Sequence, residues 1–168
     1  MRLPLSFALS FALSTLLGCL SLPAPEQGGD RSTRLFDART VSYSSRPTPL
    51  VMSRSFTTRQ TVTRRGGVES YTFENFFGPV GDHPDTTVIL ALSGNSAGFG
   101  VYDAAGRPLL EIPKGSYDGA SLTFVRPLDR GKQNIRWILG EGAFSSVVES
   151  TDARGTVFES EVTTYLPR

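Results

Sequence analysis

The chain has few of the side chains that form disulfides or bind transition metals. Among its 168 residues there is one cysteine, Cys19, and one histidine, His83. A single cysteine excludes a disulfide within the chain, and one cysteine with one histidine supplies too few nitrogen and sulfur ligands for a zinc site. The fold must therefore be stabilised by packing, and we expect no cofactor.

Helical periodicity is also missing downstream of residue 17, because no segment repeats apolar residues at the spacing of an amphipathic helix. Apolar residues instead alternate with polar ones, as in β-strands. Tyr71 and Phe73 share one face of such a segment. Ile135, Trp137 and Leu139 share another, which predicts that Trp137 lies in the core.

Residues 86–112 form the most apolar part of the chain after the N-terminus. They predict three strands, centred on 88–92, 99–102 and 109–112. Asp103 and Gly106 stand at the first and fourth positions of a type I turn between the last two strands. This unit predicts the centre of an antiparallel sheet.

The whole pattern gives about 8 or 9 short strands at the regular spacing of an all-β domain. We predict a single antiparallel β-sandwich of jelly-roll type over residues 50–168. Residues 19–49 are rich in Ser, Pro and Arg, and predict a flexible tether in which 35–36 and 41–43 are candidates for an added edge strand.

The N-terminus has the organisation of a secretory signal peptide, with Arg2 before an apolar segment that contains several serines. The residues Leu16, Leu17, Gly18 and Cys19 resemble the lipobox of bacterial lipoproteins. The resemblance implies a signal peptide over residues 1–18, cleavage before Cys19 and acyl chains such as palmitate on that cysteine. It also implies a membrane as partner, and Leu20 after the cysteine favours the outer membrane where the organism has two.

Positive charge is concentrated in one part of the exported chain. From residue 31 to 65 there are eight arginines and one aspartate, whereas from residue 66 onward there are 8 basic and 13 acidic residues. An exported chain meets anionic lipid or wall polymer rather than nucleic acid, so we expect contact with an anionic surface. The alternative is that these arginines solvate the tether or pair with the acidic domain. They are Arg31, Arg34, Arg39, Arg46, Arg54, Arg59, Arg64 and Arg65.

Residues 94–98 match the Gly-x-Ser-x-Gly motif of α/β-hydrolases, with Ser96 as the nucleophile. That motif requires a helix behind the serine, but the residues that follow are aromatic, β-branched and rich in turn formers. His83 also precedes the serine. We therefore predict a loop between strands and no catalysis, and keep a small serine esterase that uses Ser96 and His83 as an alternative function.

Two neighbouring segments are further candidate sites. Asp82 and Asp85 are weak calcium candidates, because Ca²⁺ needs six to eight oxygen ligands and this loop supplies few. Turn formation explains both aspartates equally well. Phe76 and Phe77 are candidates for an exposed aromatic platform, although burial is the usual fate of phenylalanine.

Residues 65–150 resemble the bacterial pre-peptidase C-terminal type of β-sandwich. The resemblance is carried by Tyr71–Phe73, by the apolar strand 88–92 and by Val101–Gly106. The closing Tyr-x-Leu-x-Val strand of that family is missing, and residues 143–149 stand in its place. The resemblance implies a secreted accessory module without catalytic activity.

These observations together predict an exported, lipid-anchored protein of the bacterial cell envelope that acts in binding or envelope assembly. Its partner is expected to be an envelope protein or glycan. The alternative is an inhibitor of a secreted hydrolase such as a lysozyme, in which the loop of residues 78–85 blocks the cleft of the enzyme.

Overall fold

Ten antiparallel strands form a closed barrel in the computed structural model, which describes residues 30–140 and 142–168. Each strand pairs with its neighbours in chain order, and β1 closes the ring by pairing with β10. The strands are β1 (Asp30–Ser44), β2 (Leu50–Arg65), β3 (Val68–Phe76), β4 (Thr86–Ser93), β5 (Ser96–Asp103), β6 (Pro108–Tyr117), β7 (Ser121–Leu128), β8 (Gly131–Leu139), β9 (Phe144–Asp152) and β10 (Val157–Pro167).

The predicted β-sandwich is wrong, although the all-β class and the antiparallel pairing are right. A sandwich keeps two sheets with edges, whereas here β1 has a partner on both sides. Thr40 lies opposite Arg54 of β2 and opposite Thr163 of β10. Pairing of this kind joins the two ends of the sheet, so that every strand has a neighbour on each side over at least part of its length. In the described part of the chain there is no helix with the length and apolar character needed to cross a bilayer.

The first strand lies in the region predicted to be a flexible tether. Residues 30–44 form β1, and only the loop of residues 45–49 interrupts the barrel before β2. Phe36 (0% exposed) and Ala38 anchor the strand, because both side chains are buried in the core. Residues 30–44 are therefore part of the barrel, although the sequence predicts a flexible tether there. The predicted signal peptide, the lipobox and Cys19 lie outside the described residues.

The strands predicted from alternation between residues 68 and 165 correspond to β3–β10. The predicted Asp-x-x-Gly turn of residues 103–106 is present, and residues 152–155 form a second turn of the same kind. The amide of Gly106 donates to the carbonyl of Asp103 (2.9 Å), and the amide of Gly155 donates to that of Asp152 (2.9 Å). In these turns the glycines have φ of 74° and 82°, which other residues rarely adopt.

Side chains fill the interior of the barrel. The rings of Phe73, Trp137 and Tyr165 contact one another, with centroids 4.9 Å apart for Phe73 and Trp137, 5.6 Å for Phe73 and Tyr165, and 5.6 Å for the stacked pair Trp137 and Tyr165. The predicted burial of Trp137 is confirmed (3% exposed). Because the core is packed, the surfaces open to a ligand lie on the outside and at the strand ends.

Candidate functional site

The N-terminal part of β2 has a neighbouring strand on one side only. Leu50 to Phe56 pair with β1, from Ser44 to Ala38. Pairing with β3 begins one residue later, at Thr57, which lies opposite Phe76. We call residues 50–56 the free edge.

Hydrogen bonds of β1 show which backbone groups the free edge leaves unpaired. The amide of Ser45 donates to Phe158 of β10 (2.8 Å), and that of Arg168 donates to Leu35 (3.1 Å), so odd-numbered residues of β1 face β10. Even-numbered residues face β2, since bonding alternates along an antiparallel pair. Within the free edge, no hydrogen bond between described residues uses the groups that point away from β1. They belong to Val51, Ser53 and Ser55.

An open cleft of about 800 Å³ lies where the free edge meets the end of β3. Its volume is in the range of small-molecule and peptide pockets. Its apolar lining comes from strands far apart in the sequence, with a few charged groups at the rim. The lining includes Asp37, Arg39, Val41, Phe56, Phe77, Val162, Leu166 and Arg168.

Phe77 forms an aromatic wall of this cleft and is 45% exposed. It follows the last paired residue of β3, and its amide donates to the carboxylate of Asp85 at 2.7 Å. Its ring meets that of Phe56 edge-on, with centroids 5.4 Å apart. The guanidinium of Arg54 lies over the same ring, 4.8 Å from its centroid. The predicted aromatic platform is thus split, because Phe76 is buried and Phe77 is open.

Charged groups at the rim leave a surplus of positive charge. Arg168 donates to the carboxylate of Asp37 at 2.6 Å and to the hydroxyl of Thr57 at 3.1 Å, which neutralises one arginine. Among the described residues, Arg39 and Arg54 have no carboxylate partner. The cleft therefore combines apolar walls with the uncompensated guanidinium of Arg39, and the guanidinium of Arg54 lies beside it, over the ring of Phe77.

The eight arginines predicted to contact an anionic surface lie in and around the strands rather than on a tether. Some of them pair with acids from the later part of the chain. Arg59 is 2.6 Å from Glu74 and Arg64 is 2.7 Å from Glu69. Arg46, in the loop before β2, is 3.5 Å from Asp152. Arg31 and Arg65 lie at one end of the barrel, and Arg34 is opposite Gln60. Of the eight, only Arg39 lines the cleft, and Arg54 lies beside it, over the ring of Phe77.

The ion pairs fasten β2 to β3 beyond the free edge. The hydrogen bond to Glu69 raises the pKa of Arg64, as the bond to Glu74 raises that of Arg59. The hydroxyl of Tyr71 also donates to Glu69, at 3.0 Å. Burial first, and then this hydrogen bond, raise the pKa of Tyr71 to about 12. This cluster keeps the far end of β2 paired while its first residues remain open.

The two aspartates considered for calcium do not converge with further ligands. Asp85 is engaged by the amide of Phe77. The pKa of Arg59 is raised mainly by its hydrogen bond to Glu74, and burial opposes this rise. The negative charge of Asp82 makes a smaller contribution that also raises it. Within residues 30–140 and 142–168 no group of three or more His, Cys, Asp or Glu side chains could hold a metal ion.

Ser96 and His83 lie at opposite ends of a strand. His83 is in the loop before β4, and Ser96 begins β5 directly after the turn that ends β4. The eight residues of β4 extend roughly 25 Å, at about 3.4 Å per residue. A strand follows Ser96 where a hydrolase has a helix. The geometry of the esterase alternative is therefore not present.

A second, smaller cleft of about 460 Å³ lies near the turn between β7 and β8. It includes Arg46, Arg126 and Arg130, with Asp129 among them. The ring of Phe158 lies 5.2 Å below the guanidinium of Arg46. Asp129 in the cleft, and Asp152, which pairs with Arg46, reduce the positive charge of this cleft. It is therefore the weaker candidate.

Sequence reasoning missed most of the main cleft. Val162 and Leu166 lie in β10 and Arg168 just after it, and they come together with residues 37–41 only when the ring closes. The sequence contains one usable signal. β2 is longer than β3 by several residues, so part of one strand must lack a partner.

No protein-family model and no curated protein matches the chain. Among solved structures, the chain is similar to one described as the crystal structure of the ywiB protein from Bacillus subtilis. The identity is 12% and the TM-score 0.37, over 81% of this chain and 93% of that chain. A likeness this distant carries no argument about function.

Proposed function

We propose that the protein is a lipoprotein of the bacterial cell envelope, held in the membrane by acyl chains on Cys19, whose barrel binds a partner without catalysing a reaction. The anchor is inferred from the lipobox, Leu16–Cys19. The outer membrane is the proposed site where the organism has two, because Leu20 follows the cysteine. Several acyl chains on one residue give lasting attachment, whereas a single chain binds a membrane only marginally.

The observation that carries the binding role is the main cleft beside the free edge. Exposed apolar area bordered by charge is typical of an interaction site rather than of ordinary surface. The cleft places Phe77, Val162 and Leu166 in the open together with Arg39, and the guanidinium of Arg54 lies beside it, over the ring of Phe77. An aromatic ring and an arginine are the side chains most often found at the energetic centre of an interface.

The anchor is tested by mass spectrometry of the N-terminal peptide and by fractionation of Cys19→Ala. We expect acyl chains on Cys19 in the wild type, and release of the variant from membranes or failure of its processing. A free thiol at Cys19 in the wild type contradicts the anchor.

The binding surface is tested by placing a photo-crosslinking amino acid at position 77 in intact cells. The matched control carries it at position 109 of β6, where Leu109 is exposed but lies outside the cleft. We expect a discrete crosslinked species from position 77 only. The same species from both positions, or none from position 77, contradicts binding at this cleft.

A further inference from the structure

We propose that the free edge of β2 accepts an extended segment of the partner as an added strand, and that this segment carries an acidic side chain opposite Arg54. The inference rests on the proposed function and names the kind of partner that the same surface fits. Strand addition uses backbone hydrogen bonds for affinity and side-chain pairs for specificity.

The backbone of the free edge is ready to pair. Val51, Ser53 and Ser55 direct their N–H and C=O groups away from β1, and nothing in the described part of the chain accepts or donates to them. An exposed strand edge is a template for another strand. Leu50, Val51 and Met52 are all more than half exposed, so an added strand also covers apolar surface.

Most devices that usually protect such an edge are missing here. Between residues 50 and 56 there is no proline, lysine or acidic residue, and the one charged side chain is Arg54. Arg54 lies on the same face of the sheet as Phe56, so it is an inward charge, which opposes pairing with any strand that leaves it uncompensated. Its guanidinium lies over the ring of Phe77, beside the cleft.

Charge selects an acidic segment as the occupant. Arg54 has no carboxylate partner among the described residues, and Arg39 lies on the neighbouring strand opposite Ser55 without one either. Opposite charges across paired strands stabilise them, and like charges destabilise them. A segment with a glutamate or aspartate beside Arg54 compensates its charge. Apolar residues of the same segment beside Val51 and Met52 cover the exposed apolar surface of the free edge.

The same rule disfavours a second copy of this chain. Two free edges paired antiparallel about Ser53 would place Met52 opposite Arg54 of the other copy. The two Arg54 side chains would then share one face as diagonal neighbours, at about 7–8 Å. Neither copy supplies an acid within residues 50–56 to compensate them.

The test uses the full chain in detergent and two fluorescent peptides of about seven residues, the length of the free edge. Both alternate valine with threonine. One has a glutamate and the other a lysine at its third position, which an antiparallel strand paired along residues 50–56 places opposite Arg54. We expect the glutamate peptide to bind at least about tenfold more tightly by fluorescence anisotropy, and Arg54→Glu to reverse that preference. Equal affinity for the two peptides in wild type and variant overturns the charge rule.

Strand addition itself is tested with Ser53→Pro, which removes a donor from the free side and leaves the bonding to β1 intact. The matched control is Ser53→Thr. We expect the proline variant to lose at least about tenfold in affinity for the glutamate peptide, and the threonine variant to bind like the wild type. A folded Ser53→Pro variant with wild-type affinity overturns the proposal, as does a wild-type dimer that this substitution dissociates.

Hydrogen exchange on the wild type keeps the proposal falsifiable where the proline variant does not fold. The glutamate peptide should slow exchange at the amides of Val51, Ser53 and Ser55. Unchanged exchange at all of these amides, at saturating peptide, overturns strand addition. Crosslinking from position 77 does not depend on these peptides, so its persistence in that case leaves the proposed function standing.

Discussion

Two parts of the barrel wall have incomplete pairing, and they are built in opposite ways. One is the free edge of β2. The other is the seam between β6 and β7, where only Ser116↔Thr123 and Tyr117↔Leu122 are paired. Away from these pairs, the seam carries Pro108, Pro113 and Lys114 on β6, and Arg126 and Pro127 on β7.

The difference shows that an open edge is not simply left over from an imperfect barrel. Prolines and a lysine protect the β6–β7 seam from other strands, as in natural sheets that avoid aggregation. The free edge has exposed Leu50, Val51 and Met52 and no such protection. The same chain therefore blocks one opening and leaves the other suitable for pairing.

The largest expected effect comes from Gly115→Ala at the seam. A Cβ atom at this position would lie 2.3 Å from the ring of Phe124 and 2.7 Å from the carbonyl oxygen of Thr123. Overpacking against backbone costs about 1–3 kcal/mol. We expect the free energy of unfolding, measured by urea denaturation, to fall by that amount. Gly81→Ala is the control, because nothing lies within 4 Å of its added Cβ. Equal stability of the two variants would show that β6 and β7 are not in close contact.

A smaller effect is expected at the paired end of β2, from Tyr71→Phe at high pH. Burial and the bond to Glu69 raise the pKa of Tyr71 from 10.0 to about 12 in the fold. The protonated form is favoured by folding, so its contribution is complete below about pH 10 and is lost as the pH rises through about 12. The melting temperature of the wild type should therefore fall more steeply over this range than that of the variant. Parallel curves, followed by circular dichroism, would contradict the role of this side chain.

The smallest expected change in stability comes from the double variant Pro113→Thr and Lys114→Thr, which removes the protection of the seam. We expect less than ~0.5 kcal/mol of change in unfolding, as for surface substitutions. The double variant should nevertheless self-associate with rising concentration, which sedimentation velocity measures. Lys132→Thr is the control, because Lys132 lies on a strand paired on both sides. A double variant that stays as monomeric as the wild type would mean that these residues do not protect the seam.

Local alternation was sufficient to predict most strands but not their closure. The period-two pattern around Phe73, Leu90 and Trp137 places each in the core, as the structure confirms. Whether a sheet closes depends on the pairing of β1 with β10, which joins residues such as Phe36 and Pro167. No local sequence pattern depends on that contact. The sequence of a sandwich and that of a barrel can therefore show the same alternation.

The sequence predicts a flexible tether where the structure has β1, because the composition of this segment is not typical of a strand. Residues 30–44 alternate arginine, serine and threonine with few large apolar side chains. Phe36 and Ala38 are enough to anchor the strand, since the register with two neighbours supplies the rest. The sequence also gives no sign that Phe77 is exposed, because its exposure depends on β3 ending one residue earlier, at Phe76.

The closure between β1 and β10 has a consequence for the order of folding. Nine of the ten strand contacts join neighbours in the chain and form across short turns, but this one waits for a loop of more than a hundred residues to close. Its entropic cost grows only slowly with length, yet contacts this distant form late. Until then both strands expose a complete edge. The unclosed barrel thus remains vulnerable to mispairing until β10 docks and Tyr165 stacks on Trp137.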